Sequence, residues 1–267
     1  MQVSTLSIGF IILNMVLGLC IPTVLAIFFK KKYKTKVSLW SFWTGCLVML
    51  VFAFMLEQMV HVIVFVSDVG KKIQENFWLY AIYGGLMAGL FEETGRFIAM
   101  RFILHRKFPD PHNALMYGAG HGGFEALVIL SIGMINNLVY AIMINSGAVA
   151  TMMASLDAAG QQAFQAGIDA LIQTSPFLFL AAPLERFAAV TAQIALSVLV
   201  WFAAKEGGPL KWYPVAILLH FLIDAVAVIL SGLGAPVLAI EAVIWVLAIG
   251  YVCLARQVWK KSVQEVV

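Results

Sequence analysis

Long apolar runs dominate this chain and decide what it can become. A helix needs about 20 such residues to cross a bilayer, because unpaired backbone groups are intolerable in hydrocarbon. Seven stretches qualify: 5–29, 38–66, 77–104, 113–145, 176–203, 212–232 and 235–258. Hydrophobic residues fill 62% of the 267 positions and charged ones only 12%, against about 25% charged in an ordinary soluble domain. That balance excludes a soluble globular enzyme, a disordered tail and a nucleic-acid module. The expected fold is all-α: a polytopic transmembrane helical bundle of about seven spans, set in the lipid bilayer. The first stretch has no basic run before it and no small-residue cleavage pattern after it, so it reads as a helix, not a signal peptide. Cys20, Cys46 and Cys253 are scattered in apolar surroundings and read as small core residues.

Basic residues set the expected orientation. One set of loops carries Lys30, Lys31, Lys32, Lys34 and Lys36, then Arg101, Arg106 and Lys107, then Lys205 and Lys211, then Arg256, Lys260 and Lys261. These are 13 of the 17 Lys and Arg residues. The opposite set carries Lys71 and Lys72 alone, so the N-terminus is expected outside and the C-terminus in the cytoplasm. Segment 146–175 is too polar to span. Met152, Leu156, Phe164, Ile168, Leu171 and Ile172 recur there at helical spacing, which predicts an amphipathic stretch on the outer surface. Without an internal repeat or a long linker, residues 1–267 read as a single membrane-embedded domain.

Ionisable groups inside spans are costly and point to function. The third span carries Glu92, Glu93 and Arg96, the fourth His121 and Glu125, the fifth Glu185 and Arg186, and the sixth His220 and Asp224. Glu92/Arg96, His121/Glu125 and His220/Asp224 are i,i+4 pairs, so each pair shares one helix face. At about 1.5 Å per residue, His121 lies roughly 12 Å in from Asn113, and His220 roughly 12 Å in from Trp212. Glu92 lies roughly 14–18 Å in from the basic end of its own span. Three helices therefore bring polar pairs to one slab, which predicts a site. Five carboxylates against two guanidiniums would leave three uncompensated negative charges. Either carboxyls stay protonated, histidines charge, or a cation binds. A glutamate general base and a two-histidine, one-carboxylate divalent-metal set are both compatible with these residues. Gly84, Gly85, Gly89 and Gly95, with Gly118, Gly120, Gly122 and Gly123, surround the slab. They serve either close helix packing or the approach of an extended substrate.

At Glu92-Glu93-x-x-Arg96, His121-x-x-x-Glu125 and His220-x-x-x-Asp224 the chain resembles the YhfC-type intramembrane metalloproteases. These are distant relatives of the PrsW proteases and of the CAAX- and bacteriocin-processing membrane peptidases. The resemblance extends to helix number and order. It implies that Glu92 or Glu93 activates water, with Arg96 in the same motif, and that His121 and His220 bind a metal or stabilise the oxyanion. Glu125 and Asp224 are then further metal-ligand candidates for a divalent, zinc-type ion. It also implies a bacterial plasma-membrane location. Two residues separate Glu93 from Arg96, as in the PrsW type. Gln193 sits at the histidines' depth, where some relatives carry a histidine; with Glu185 and Arg186 it counts as a supporting residue.

Each motif has a structural alternative. Glu92, Glu93 and Arg96 would serve as an ion pair locking two helices, and each histidine as an interhelical hydrogen bond. Glu125 and Asp224 would orient their neighbours. Glu185 and Arg186, adjacent on a helix, are not expected to face each other, so Arg186 is expected to counter a carboxylate on another helix. Glu57 and His61 form an i,i+4 pair that reads as separate from the slab. The leading functional expectation is an intramembrane endopeptidase that cuts a membrane-embedded or juxtamembrane peptide. A proton-coupled transporter and a non-catalytic, protease-like scaffold are the alternatives, the latter kept open by Gln193.

Overall fold

The computed structural model describes residues 2–264, and they are helical without strands. The helices are α1 (Thr5–Tyr33), α2 (Leu39–Phe65), α3 (Asp68–Glu75), α4 (Phe77–Ala99), α5 (His112–Ser146), α6 (Val149–Ser155), α7 (Ala158–Gln173), α8 (Pro176–Ala204), α9 (Trp212–Gly232) and α10 (Val237–Gln264). Wider π turns interrupt α2 at Met49–Glu57 and α5 at Leu127–Ile132, and another, Met100–Leu104, extends α4. By length and apolar character, α1, α2, α5, α8, α9 and α10 can each cross a membrane. The molecule is a polytopic helical membrane protein. At 23 residues α4 is long enough too, but it carries Glu92, Glu93 and Arg96.

Local chemistry sets the helix ends. The side chains of Ser38, Ser67, Asn76 and Asp157 accept hydrogen bonds from backbone N–H groups of the first turns of α2, α3, α4 and α7. Gly147, at φ 76°, ends α5 in the left-handed conformation that glycine adopts without strain.

Among the described residues the contacts divide into two units, one of residues 2–21 and 126–186, the other of 22–125 and 187–264. In the first, Phe164, Ile168 and Leu171 of α7 pack with Ile11, Ala141, Ile144 and Phe179. The Tyr140 ring meets Phe164 edge-on at 5.3 Å. The apolar stripe read from the sequence thus covers neighbouring helices, while Ile172 remains exposed. Asn14 Nδ2 donates to the Phe179 carbonyl at 2.8 Å.

In the second unit α8 is the central helix. From Ala192 to Ala204 every residue except Ile194 is buried, so this stretch is enclosed on all sides, with Gln193 and Ser197 as its polar members. Asn113 pins the start of α5 to the α1–α2 connection. Its Oδ1 accepts from Ser38 N and Ser41 Oγ, both at 2.8 Å, and its Nδ2 donates to the Lys36 carbonyl at 3.1 Å. That anchor sets the depth of His121. Helix α4 lies against α9 almost backbone to backbone: a Cβ at Gly85 would meet the Phe221 carbonyl at 2.7 Å, and one at Gly89 the Ile217 carbonyl at 2.7 Å. Small residues permit this approach, and it brings the next turns of α4 against His220.

Candidate functional site

All the polar residues that cluster lie in the second unit, on α4, α5, α8 and α9. Glu93, Arg96 and His121 are fully buried, and Glu92, Gln193 and His220 nearly so. Taking such groups out of water is tolerated only when they satisfy one another. Here most of their polar atoms do so by a division of labour between the adjacent glutamates, Glu93 Oε2 and Arg96 Nε being left without a hydrogen bond.

Glu93 faces inward. Its Oε2 lies 3.4 Å from Arg96 Nη1, and its Oε1 lies 2.7 Å from His220 Nδ1. Since a carboxylate only accepts, Nδ1 is the donor, and the other ring nitrogen, Nε2, is turned toward Asp224 Oδ2 at 3.5 Å and Glu92 Oε2 at 3.8 Å. Glu92 Oε2 is the convergence point of the cluster. It accepts from His121 Nε2 at 2.9 Å and from Gln193 Nε2 at 2.9 Å.

Gln193 holds the two halves together. Its Oε1 accepts from Arg96 Nη2 and its carbonyl from Arg96 Nη1. Its Nε2 also reaches Glu125 Oε2 at 3.2 Å. With a guanidinium on one side and carboxylates on the other, only this amide orientation satisfies all partners. Ser197 Oγ donates to the Gln193 carbonyl at 2.7 Å. The bare backbone of Gly122 makes room, since a Cβ there would lie 2.8 Å from that of Gln193.

The structure therefore brings together Glu92, Glu93, Arg96, His121, Glu125, Gln193, His220 and Asp224. It does not arrange the four expected metal ligands as a metal site. Among the described residues no three His, Cys, Asp or Glu side chains form a group that would hold an ion. The reason lies in the hydrogen bonds: Glu125 joins through Gln193, His121 Nε2 is engaged by Glu92, and the Gln193 oxygen is engaged by Arg96. As arranged, these donors do not fit a resident metal. Glu185 and Arg186, which were not expected to face each other, do meet. Arg186 Nη2 donates to Glu185 Oε1, because two long side chains reach each other even from adjacent positions. Both belong to the first unit.

Two features escaped the sequence reading. Tyr117 is fully buried, its ring stacks on His121 at 5.7 Å, and its hydroxyl lies 3.5 Å from His121 Nδ1. The i,i+4 spacing of Tyr117 and His121 is the sequence signal for that pairing. The other is a cavity of about 750 Å³ lined by His61, Gln58, Tyr80, Tyr83, Gly84 and Asp224, among others. Tyr83 OH lies 2.9 Å from His61 Nδ1, and His61 Nε2 lies 3.2 Å from Glu57 Oε1. Through His61, the Glu57–His61 pair, read from sequence as separate, borders the same cavity as Asp224.

The model of the YhfC intramembrane metalloprotease family matches residues 17–245, well over half of the chain. The chain belongs to this family. It is also similar to the uncharacterized membrane protein YhfC of Bacillus subtilis (strain 168), with 36% identity over 266 residues, covering 97% of this chain and all of that protein. No solved structure matches it. Membership in a family described as intramembrane metalloproteases identifies a multi-pass membrane protein and supports a membrane protease at family level. The family's name implies a metal, and this YhfC-family chain places Gln193 and Arg96 among the donors that would receive one.

Proposed function

We propose that the chain is an intramembrane endopeptidase in which Glu92 is the general base and a peptide in or beside the membrane is the substrate. The observation that carries this reading is the convergence on Glu92 Oε2 of side chains from α5, α8 and α9, beside a cavity that reaches Asp224. Glu92 takes a proton from water as that water attacks the scissile carbonyl, and returns the proton to the leaving amine. His220, held by Glu93 through Nδ1–H and carrying a second proton between the Asp224 and Glu92 carboxylates, presents Nε2–H as an imidazolium to the developing oxyanion. Glu93 and Arg96 are positioning residues, since each acts through a neighbour. Gln193 holds the Glu92 carboxylate in place. A peptide lying in the cavity beside Asp224 is one imidazole away from the base.

The test uses purified protein in proteoliposomes with a library of single-span peptides, read by mass spectrometry. Wild-type protein is expected to release defined fragments, and Glu92→Gln to release none while remaining folded. Equal cleavage by both removes Glu92 as the base.

A further inference from the structure

A second large cavity, about 690 Å³, opens where α4 ends, between the last turns of α8 and α10. Its wall includes Arg101, His105, Arg106 and Lys205, with Glu206 as the acid among them. None of Arg101, Arg106 and Lys205 makes an ion pair with a carboxylate among the described residues. Two of them are held in place by neighbours. Arg101 Nη1 donates to the Ala204 carbonyl at 3.1 Å, at the C-terminal end of α8, where a cation is favoured. The Arg106 guanidinium lies 6.0 Å from the centre of the Phe102 ring. His105 donates through Nε2 to the Trp201 carbonyl at 2.9 Å and lies over the Trp201 ring at 4.2 Å. This makes a stiff wall. Such preorganisation lowers the cost of binding a ligand.

We propose that this cavity holds the headgroup of an anionic phospholipid, with Arg101, Arg106 and Lys205 on its phosphate. Guanidinium groups match phosphate oxygens in charge and geometry, and basic pockets at the ends of membrane helices suit anionic headgroups. The choice of a lipid over a free anion follows from the surroundings. Phe102 and Val263 line the cavity and are exposed, and Ile98 and Ile103 on α4 are exposed beside them. A ligand with apolar chains covers that surface; inorganic phosphate leaves it bare. The cavity shares no lining residue with the glutamate–histidine cluster, so the proposal stands or falls independently of the peptidase reading.

The experiment compares retention of phosphatidylglycerol and phosphatidylcholine by the full-length protein, read by native mass spectrometry. Wild type is expected to prefer phosphatidylglycerol about tenfold. The triple variant Arg101→Gln/Arg106→Gln/Lys205→Gln is expected to lose that preference, and Arg106→Gln alone, which leaves the Ala204 contact intact, to lose part of it. A control triple at Lys31, Lys32 and Lys36 is expected to keep it. Equal loss in both triples reduces the effect to diffuse surface charge and overturns the proposal. Saturable binding of inorganic phosphate without any preference between the lipids assigns the cavity to a soluble anion and overturns it as well.

Discussion

His220 Nδ1 lies 2.7 Å from Glu93 Oε1, and this one contact assigns different work to two neighbouring glutamates. It spends Glu93 on orienting an imidazole whose other nitrogen faces Glu92. A buried carboxylate that fixes a histidine tautomer stabilises geometry; one that faces a cavity-side imidazole is available for proton transfer.

Exchange of the two glutamates for glutamine is expected to separate stability from chemistry. Glu92→Gln removes the base, so turnover falls by about 10²–10⁴-fold with little change in unfolding temperature. Glu93→Gln leaves Arg96 buried without its charge partner, a loss of about 3–5 kcal/mol, while its amide oxygen still accepts from His220. Thermal unfolding in detergent beside a cleavage assay distinguishes them; matching profiles for the two variants would contradict this division.

Gln193 predicts the response to metal removal. Its oxygen is on Arg96 and its nitrogen on Glu92, so this amide bridges guanidinium and carboxylate where an ion would otherwise be needed. Cleavage is expected to survive exhaustive chelation. Elemental analysis that finds one equivalent of a divalent ion, lost in His121→Ala, would show that the working arrangement differs from this one. Gln193→Leu is expected to cost about 1–3 kcal/mol, since it strips hydrogen bonds from buried charged partners.

Helix approach is the third lever. Gly89→Val drives side-chain atoms into the Ile217 carbonyl, which overpacks the α4–α9 contact at about 1–3 kcal/mol. It also moves Glu93 away from His220. Gly84→Ala, only five residues earlier, has open space for its methyl group and is expected to leave unfolding unchanged. Equal destabilisation by both would mean that helix propensity, not close approach, governs these positions.

Gly84 also lines the cavity beside Asp224. Gly84→Trp is therefore expected to fill part of that space and raise KM several-fold with kcat nearly kept, the signature of lost substrate binding. A fall in kcat alone would place the substrate elsewhere.

The residues themselves were enough to establish that the chain is helical, spans a membrane and carries paired polar groups at one depth. Those properties are local: apolar run length sets the span, a constant rise per residue sets depth, and i,i+4 spacing sets the shared face. The polar identities of Glu92, His121, Gln193 and His220 were legible for the same reason. Their partnerships were not. Which glutamate meets which histidine depends on the rotation of each helix about its axis and on how closely its neighbours approach, and Gly85, Gly89, Gly122 and the Asn113 anchor determine that only once the helices are packed. The same holds for Gln193, expected as a supporting residue and found bonded to Arg96, for Tyr117 behind His121, and for His61 sharing a cavity with Asp224. Apart from Tyr117 and His121, which share one helix face, each is a relation between side chains far apart in the chain, and it exists only because buried polar groups must find partners in whatever packing the small residues allow.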